Sequence, residues 1–143
     1  MIWKHEPNIE VLNSIAKNTM VSHLGIKIIE VGDDYIKASM PVDERTKQPM
    51  GLLHGGASVA LSESIGSFAG VLICDDISKE AIVGVEINAN HLKSVRSGTV
   101  TSITKPVRIG NKIQVWNTDI FNEEGQLVCT SRLTTMKIQT QKS

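Results

Sequence analysis

Hydrophobic positions recur along this chain with two different periods, and the changes between them mark out its elements. Ile9, Leu12, Ile15 and Ala16 fall at helical spacing, which predicts a helix from about Asn8 to Lys17. The stretch "NTMVSHLG" reads as a short helical turn ended by Gly25. Ile26, Ile28 and Val31 then form a strand pattern, and Gly32-Asp33 marks a turn. "DYIKASMPV" alternates as a second strand, with Tyr35, Lys37 and Ser39 set against Ile36, Ala38 and Met40.

The polar loop "DERTKQPMG" interrupts this pattern, and a helix from about Gly55 to Ile73 follows. After the loop "DDISKE" the chain is β-like to its end. "AIVGVEINANHL", "GTVTSITKPVRIG" (bent at Pro106), "KIQVWNTDIF" and "LVCTSRLTTMKI" are four strands rich in branched residues. In the last, Leu127, Cys129, Ser131 and Leu133 alternate with Val128, Thr130, Arg132 and Thr134. Strands joined by short turns pair antiparallel. The expected fold class is therefore α+β: one domain over residues 1–143, with an antiparallel sheet and one long helix on its face.

On a helical wheel, Leu61, Ile65, Phe68 and Leu72 form the stripe expected to meet the sheet, and Glu63 falls nearly opposite. Glu63 is the only charged residue from Gly51 to Cys74, and its face also carries Val59, Gly66, Ser67, Gly70 and Ile73. A solvated helix face would carry long polar side chains that favour helix. Glycines and serines there predict close packing, and we expect another subunit to cover this face. A covered carboxylate beside small neighbours leaves room for a substrate or a catalytic water.

His54-Gly55-Gly56 stands at the N-terminus of the same helix, where backbone N–H groups lack intrahelical partners and the dipole favours negative charge. Donors held in place before charge develops are what an oxyanion hole needs. Gln48, just upstream, offers an amide that polarises a carbonyl. His5, His23 and His91 share no metal-binding spacing with His54, so no metal is expected. His54, four serines and Glu63 break the helix's apolar run, which leaves it too short to span a bilayer. Gly56-Ala57-Ser58-Val59-Ala60 lacks the final glycine of a nucleophile elbow, and no suitable strand precedes it.

Composition narrows the classes further. Fifteen Lys and Arg balance fifteen Asp and Glu, so the chain has no overall basic field for nucleic acid, and 3% aromatics offer few platforms for stacking bases. Cys74 and Cys129 form no CxxC, which points to a reducing compartment. "MIWKHEPNIE" lacks the apolar run of a signal peptide. We expect a cytoplasmic protein that works without a cofactor.

"QPMGLLHGGASVALSESIGS" resembles the central signature of the hotdog-fold acyl-CoA thioesterases. The closest subgroup in pattern is the one acting on 4-hydroxybenzoyl-CoA and 1,4-dihydroxy-2-naphthoyl-CoA. The likeness runs from "HLGI" and "MPVDERTKQPMG" through "GVEINANHLKSVRSG" to "SRLT". It implies a sheet wrapped around one long central helix, dimers pairing into tetramers, and active sites at the dimer interface. It makes Glu63 the nucleophile or general base. It aims the Gly55 N–H and Gln48 at the thioester carbonyl, lets His54 support the site, and puts Ser67 near the water or leaving group. Coenzyme A, as part of the substrate, would bind near "ANHLKS" and "PVRIGN", which nominates His91, Lys93, Arg96, Arg108, Gly110, Asn111 and Lys112. Relatives often read His-x-Arg-Pro where this chain has His91-Leu92-Lys93-Ser94; lysine lacks the bidentate fork of arginine, and serine the rigidity of proline.

The implied reaction is hydrolysis of an aromatic or medium-chain acyl-CoA. An ionised carboxylate either attacks the thioester, giving an anhydride, or activates a water. Two rivals remain. A hotdog hydratase or dehydratase usually carries its histidine in a His-Phe-Pro loop, where this chain has Leu53-His54-Gly55. A non-catalytic acyl-CoA sensor would bind without turnover.

Overall fold

The computed structural model describes residues 1–140. It opens with α1 (Ile9–Ile15), capped by the Asn8 side chain, which accepts from the Val11 N–H. This helix stops short of Lys17 because Asn18 turns into the left-handed region at φ 60°, which asparagine tolerates. A one-turn helix, α2 (Met20–His23), is capped by Thr19 and followed by Gly25 at φ 74°. Then come β1 (Lys27–Val31), β2 (Ile36–Pro41), the long helix α3 (Gly55–Leu72), and the strands β3 (Glu80–His91), β4 (Thr99–Ile109), β5 (Ile113–Phe121) and β6 (Leu127–Gln139).

All six strands join one antiparallel sheet in the order β1-β2-β4-β5-β6-β3. β3 follows α3 directly in the chain, yet it lies at the far edge and pairs only with β6. Bulges at Gly84/Glu86, Pro106/Arg108 and Ile120/Phe121 add twist, so the sheet curls around the helix. The bend expected at Pro106 is the second of these. The result is the expected hotdog fold.

The core lies between α3 and the concave face of the sheet. Leu61, Ile65 and Ala69 are fully buried against Ile36, Ala38, Met40, Val100, Trp116 and Ile120. Burying a large aliphatic side chain stabilises the fold by roughly 1.5–3 kcal/mol. Polar side chains on the same face pair with one another: Thr104 with Thr118 at 2.8 Å, and Thr135 with Gln114 at 2.8 Å.

The helix buries a wider arc than the expected stripe. Gly66 lies under Leu133 of β6, and Gly70 under Ile82 of β3. A Cβ on either glycine would stand 2.6 Å and 3.0 Å, respectively, from those side chains. The chain's own strands therefore cover these two glycines, where the sequence led us to expect another subunit. Phe68, placed by the wheel on the sheet side, is only half-buried and borders a cavity.

The C-terminal end of α3 is tied down by both ends of the chain. The Lys4 N–H donates to the Leu72 carbonyl at 2.9 Å, and the Lys4 ammonium pairs with Asp75. Lys137 of β6 bridges Asp75 at 3.1 Å and Glu80 at 3.3 Å. No helix among the described residues is long and apolar enough to cross a membrane.

Candidate active site

The loop before α3 is held firmly. The Leu53 N–H donates to the Val95 carbonyl and the His54 N–H to the Thr46 carbonyl, both at 2.8 Å, while the buried Thr46 hydroxyl donates to the Pro41 carbonyl at 2.7 Å. His54 is the N-cap of α3, with extended backbone and its Nδ1 accepting the Gly56 N–H at 2.7 Å. Its carbonyl accepts the N–H groups of Ala57 and Ser58 at 3.0 and 3.3 Å. Of the four first-turn amides, only that of Gly55 has no acceptor among the described residues. A free donor at a helix N-terminus is primed for negative charge.

Gln48 stands beside it. Its loop closes through Gln48 N–H to the Leu52 carbonyl at 2.8 Å and Gly51 N–H to the Gln48 carbonyl at 2.9 Å, with Gly51 at φ 81°. The Gln48 Oε1 accepts the Met50 N–H. That leaves the side-chain NH₂ as the free, donating end. Gln48 and Gly55 border a cavity of about 370 Å³ together with Leu52, Ser58, His91 and Lys93. His91, nominated from the sequence for coenzyme A, lies against Gly55 within this cavity.

Glu63 lies two turns further along α3, in a separate cavity of about 340 Å³ that it shares with Ser67, Phe68, Val71 and Val21. It is half-exposed and makes no salt bridge among the described residues. Its Oε1 rests over Gly84 of β3. At 1.5 Å of rise per residue, Gly55 and Glu63 are about 12 Å apart along the helix axis. One carbonyl cannot lie about 3 Å from both. In a single chain, Gly55 and Gln48 on one side and Glu63 on the other thus border two separate cavities.

The coenzyme A candidates are dispersed too. Lys93 borders the Gly55 cavity and an adjoining polar cleft with Arg96. Arg108, Gly110 and Asn111 stand at the far end of β4. Nine strand residues, roughly 30 Å, separate Thr99 from Arg108, so the two groups form no common surface in one chain. Asn111 and Lys112 border another cleft, with Asp75 and Lys137.

Val21, on α2, escaped the sequence reading because nothing local ties it to α3. Gly84 carries a local signal, a glycine inside a strand, which marks a close approach of another group. Cys74 and Cys129 are buried free thiols, and burial raises both above the usual range. Among the described residues no three His, Cys, Asp or Glu side chains cluster as a metal site would require.

Residues 50–129 match the family model described as the thioesterase superfamily. The chain belongs to the thioesterase superfamily. It is a thioester hydrolase, and its relatives cover it almost completely. It is 53% identical to the 1,4-dihydroxy-2-naphthoyl-CoA hydrolase of Escherichia coli over 94% of this chain and 98% of that one. It is 48% identical to the proofreading thioesterase EntH of Cronobacter sakazakii, over 94% of this chain and 97% of that one. The crystal structure of a Haemophilus influenzae thioesterase superposes with a TM-score of 0.94 at 51% identity, covering 99% of this chain and 98% of the other. A Staphylococcus aureus thioesterase, 34% identical, has been solved with a glutamate and, separately, with a glutamine replaced by alanine. Those structures give TM-scores of 0.81 and 0.79, cover 85% and 82% of this chain and 99% and 97% of their own. The two altered residues stand 15 positions apart in that chain. Gln48 and Glu63 have the same separation in this thioesterase.

Proposed function

We propose that this thioesterase hydrolyses an aromatic acyl-CoA of dihydroxynaphthoyl or hydroxybenzoyl type to the free acid and coenzyme A, in a site built from two subunits. The observation that carries the reading is the free Gly55 N–H, which shares a cavity with the donating end of Gln48. Those two donors would bind the carbonyl oxygen and stabilise the negative charge that grows on it. Glu63 of the other subunit would attack the carbonyl carbon or deprotonate a water that does, with Ser67 beside it. The thiolate of coenzyme A then leaves. Lys93 and Arg96 would meet its phosphates at the mouth of the Gly55 cavity. Identity with the Escherichia coli hydrolase supports the aromatic acyl group, and Phe68, Val71 and Val21 line a mainly apolar pocket beside Glu63 to receive it.

Two observations support the shared site. The half-sites are too far apart in one chain to act on one carbonyl. β3 is an edge strand of 12 residues with Val83 and Val85 exposed, and such an edge is a template for pairing with a second copy. The reading extends to dimers that pair into tetramers. Buried free thiols at Cys74 and Cys129 agree with a reducing compartment such as the cytoplasm.

The test is thiol release from a panel of 1,4-dihydroxy-2-naphthoyl-, 4-hydroxybenzoyl-, benzoyl- and medium-chain acyl-CoAs. Aromatic thioesters should give the highest kcat/KM, and preference for straight-chain thioesters would overturn the acyl assignment. Glu63→Gln and Gly55→Ala proteins, each impaired alone, should regain activity when unfolded and refolded together. Absence of complementation would remove the two-subunit site.

A further inference from the structure

Gly84 is the middle of a strand, where a glycine weakens pairing and leaves nothing to pack. Its backbone does not call for one, since the positive-φ glycines are Gly25, Gly51, Gly98 and Gly125. What requires a glycine is space. A Cβ at position 84 would stand 2.5 Å from the Glu63 Oε1 and 3.6 Å from its carboxyl carbon. The first distance is well inside ordinary contact, and the obstacle would be the carboxylate itself. The register of β3 against β6 slips between Gly84 and Glu86, so a bulge lies beside this contact. Bulges of this kind re-aim what lies against them.

We propose that Gly84 is a positioning residue for the reaction: the side chain it lacks sets where the Glu63 carboxylate rests, and the bulge holds β3 at that distance. The proposal rests on the catalytic role given to Glu63 above. A methyl group at position 84 displaces the carboxylate by about 1 Å, and a misplacement of that size costs about 10²-fold in rate.

Gly84→Ala should therefore lower kcat by about 10²-fold and leave KM, the far-UV spectrum and the oligomeric state unchanged. Ile29→Ala, at the exposed bulge of β1 on the opposite edge of the sheet, should leave kcat unchanged. Glu63→Asp, one methylene shorter, should cost less activity in the Gly84→Ala background than in the wild-type one. Wild-type kcat in Gly84→Ala, or losses that simply multiply, would overturn the proposal. Should Gly84→Ala melt early or fail to fold, Gly84→Ala/Glu63→Ala decides: recovered stability shows that carboxylate and methyl collide, whereas a double variant equally unstable places the fault in the strand and overturns the idea. Glu63→Gln separates the two readings. If it turns over at the wild-type rate, the role of Glu63 falls. If it is inactive while Gly84→Ala is fully active, only the positioning role falls.

Discussion

His91 lies across Gly55. Its Nε2 stands 2.7 Å from the place a Cβ on that glycine would occupy, so a side chain from the end of β3 roofs the N-terminus of α3. The imidazole and the free amide share a cavity whose opening depends on Gly55 carrying no side chain.

Gly55→Ala separates this steric demand from helix stability. Alanine is the better helix former, but at the first helical position the gain is small and the methyl meets His91, so thermal melting should change little. The methyl group would push His91 aside and crowd the proposed oxyanion donor, and kcat/KM should fall about 10²-fold. Thiol-release kinetics beside a thermal melt check both halves.

His54→Ala removes the acceptor of the Gly56 N–H. Loss of an N-cap costs about 1 kcal/mol, which should appear as a lower midpoint in denaturant. His54→Asn keeps a capping oxygen and should recover most of that stability. Activity in the asparagine variant then reports what the imidazole contributes beyond the cap.

Leu133 fills the space over Gly66 and is 2% exposed. Leu133→Ala should destabilise the fold by about 2–5 kcal/mol, measured by urea unfolding. Gly66 offers no side chain to fill the gap, which places the cost toward the upper part of that range.

Acid should weaken this fold between about pH 4 and pH 2. The Ser78 hydroxyl and N–H, with Lys79, hold the Asp76 carboxyl at about 2, below its ordinary 3.8. Lys4 and Lys137 lower Asp75. Burial alone would raise Glu80, but N–H groups of Asp76 and Asp75, with Lys137, outweigh it and hold it low. A carboxyl whose folded value lies below its unfolded one stabilises the fold above the unfolded value, and that stability is lost as pH falls through the folded value. Unfolding free energy against pH should therefore turn down below about pH 4, and Asp76→Asn should flatten that limb. A limb unchanged by this substitution would show that Asp76 is not among the groups responsible.

Local pattern carried much of the fold. The bounds of α3 and of all six strands lie within a residue or two of what alternation and loop residues predict, because each depends on near neighbours. Short connections explain the antiparallel pairing of β1 with β2, β4 with β5 and β5 with β6, whereas β2 with β4 and β3 with β6 did not follow from them. Nor did what covers Gly66 and Gly70, since Leu133 and Ile82 reach them only after β6 and β3 have crossed the sheet. Of the candidate site, Glu63 and the His54-Gly55 helix entry stand out in the sequence by residue type, and Gln48 chiefly through the resemblance. The division into two cavities is a matter of geometry, and Val21 reaches its cavity through packing alone.

The sheet order also sets a timetable for synthesis. β3 carries both Gly84 and His91, and its one partner in the sheet is β6, the last of the six strands in chain order. As the chain leaves the ribosome, β1, β2, β4 and β5 can zip together around α3 while β3 waits. Gly84 and His91, which lie against Glu63 and Gly55, are thus fixed last.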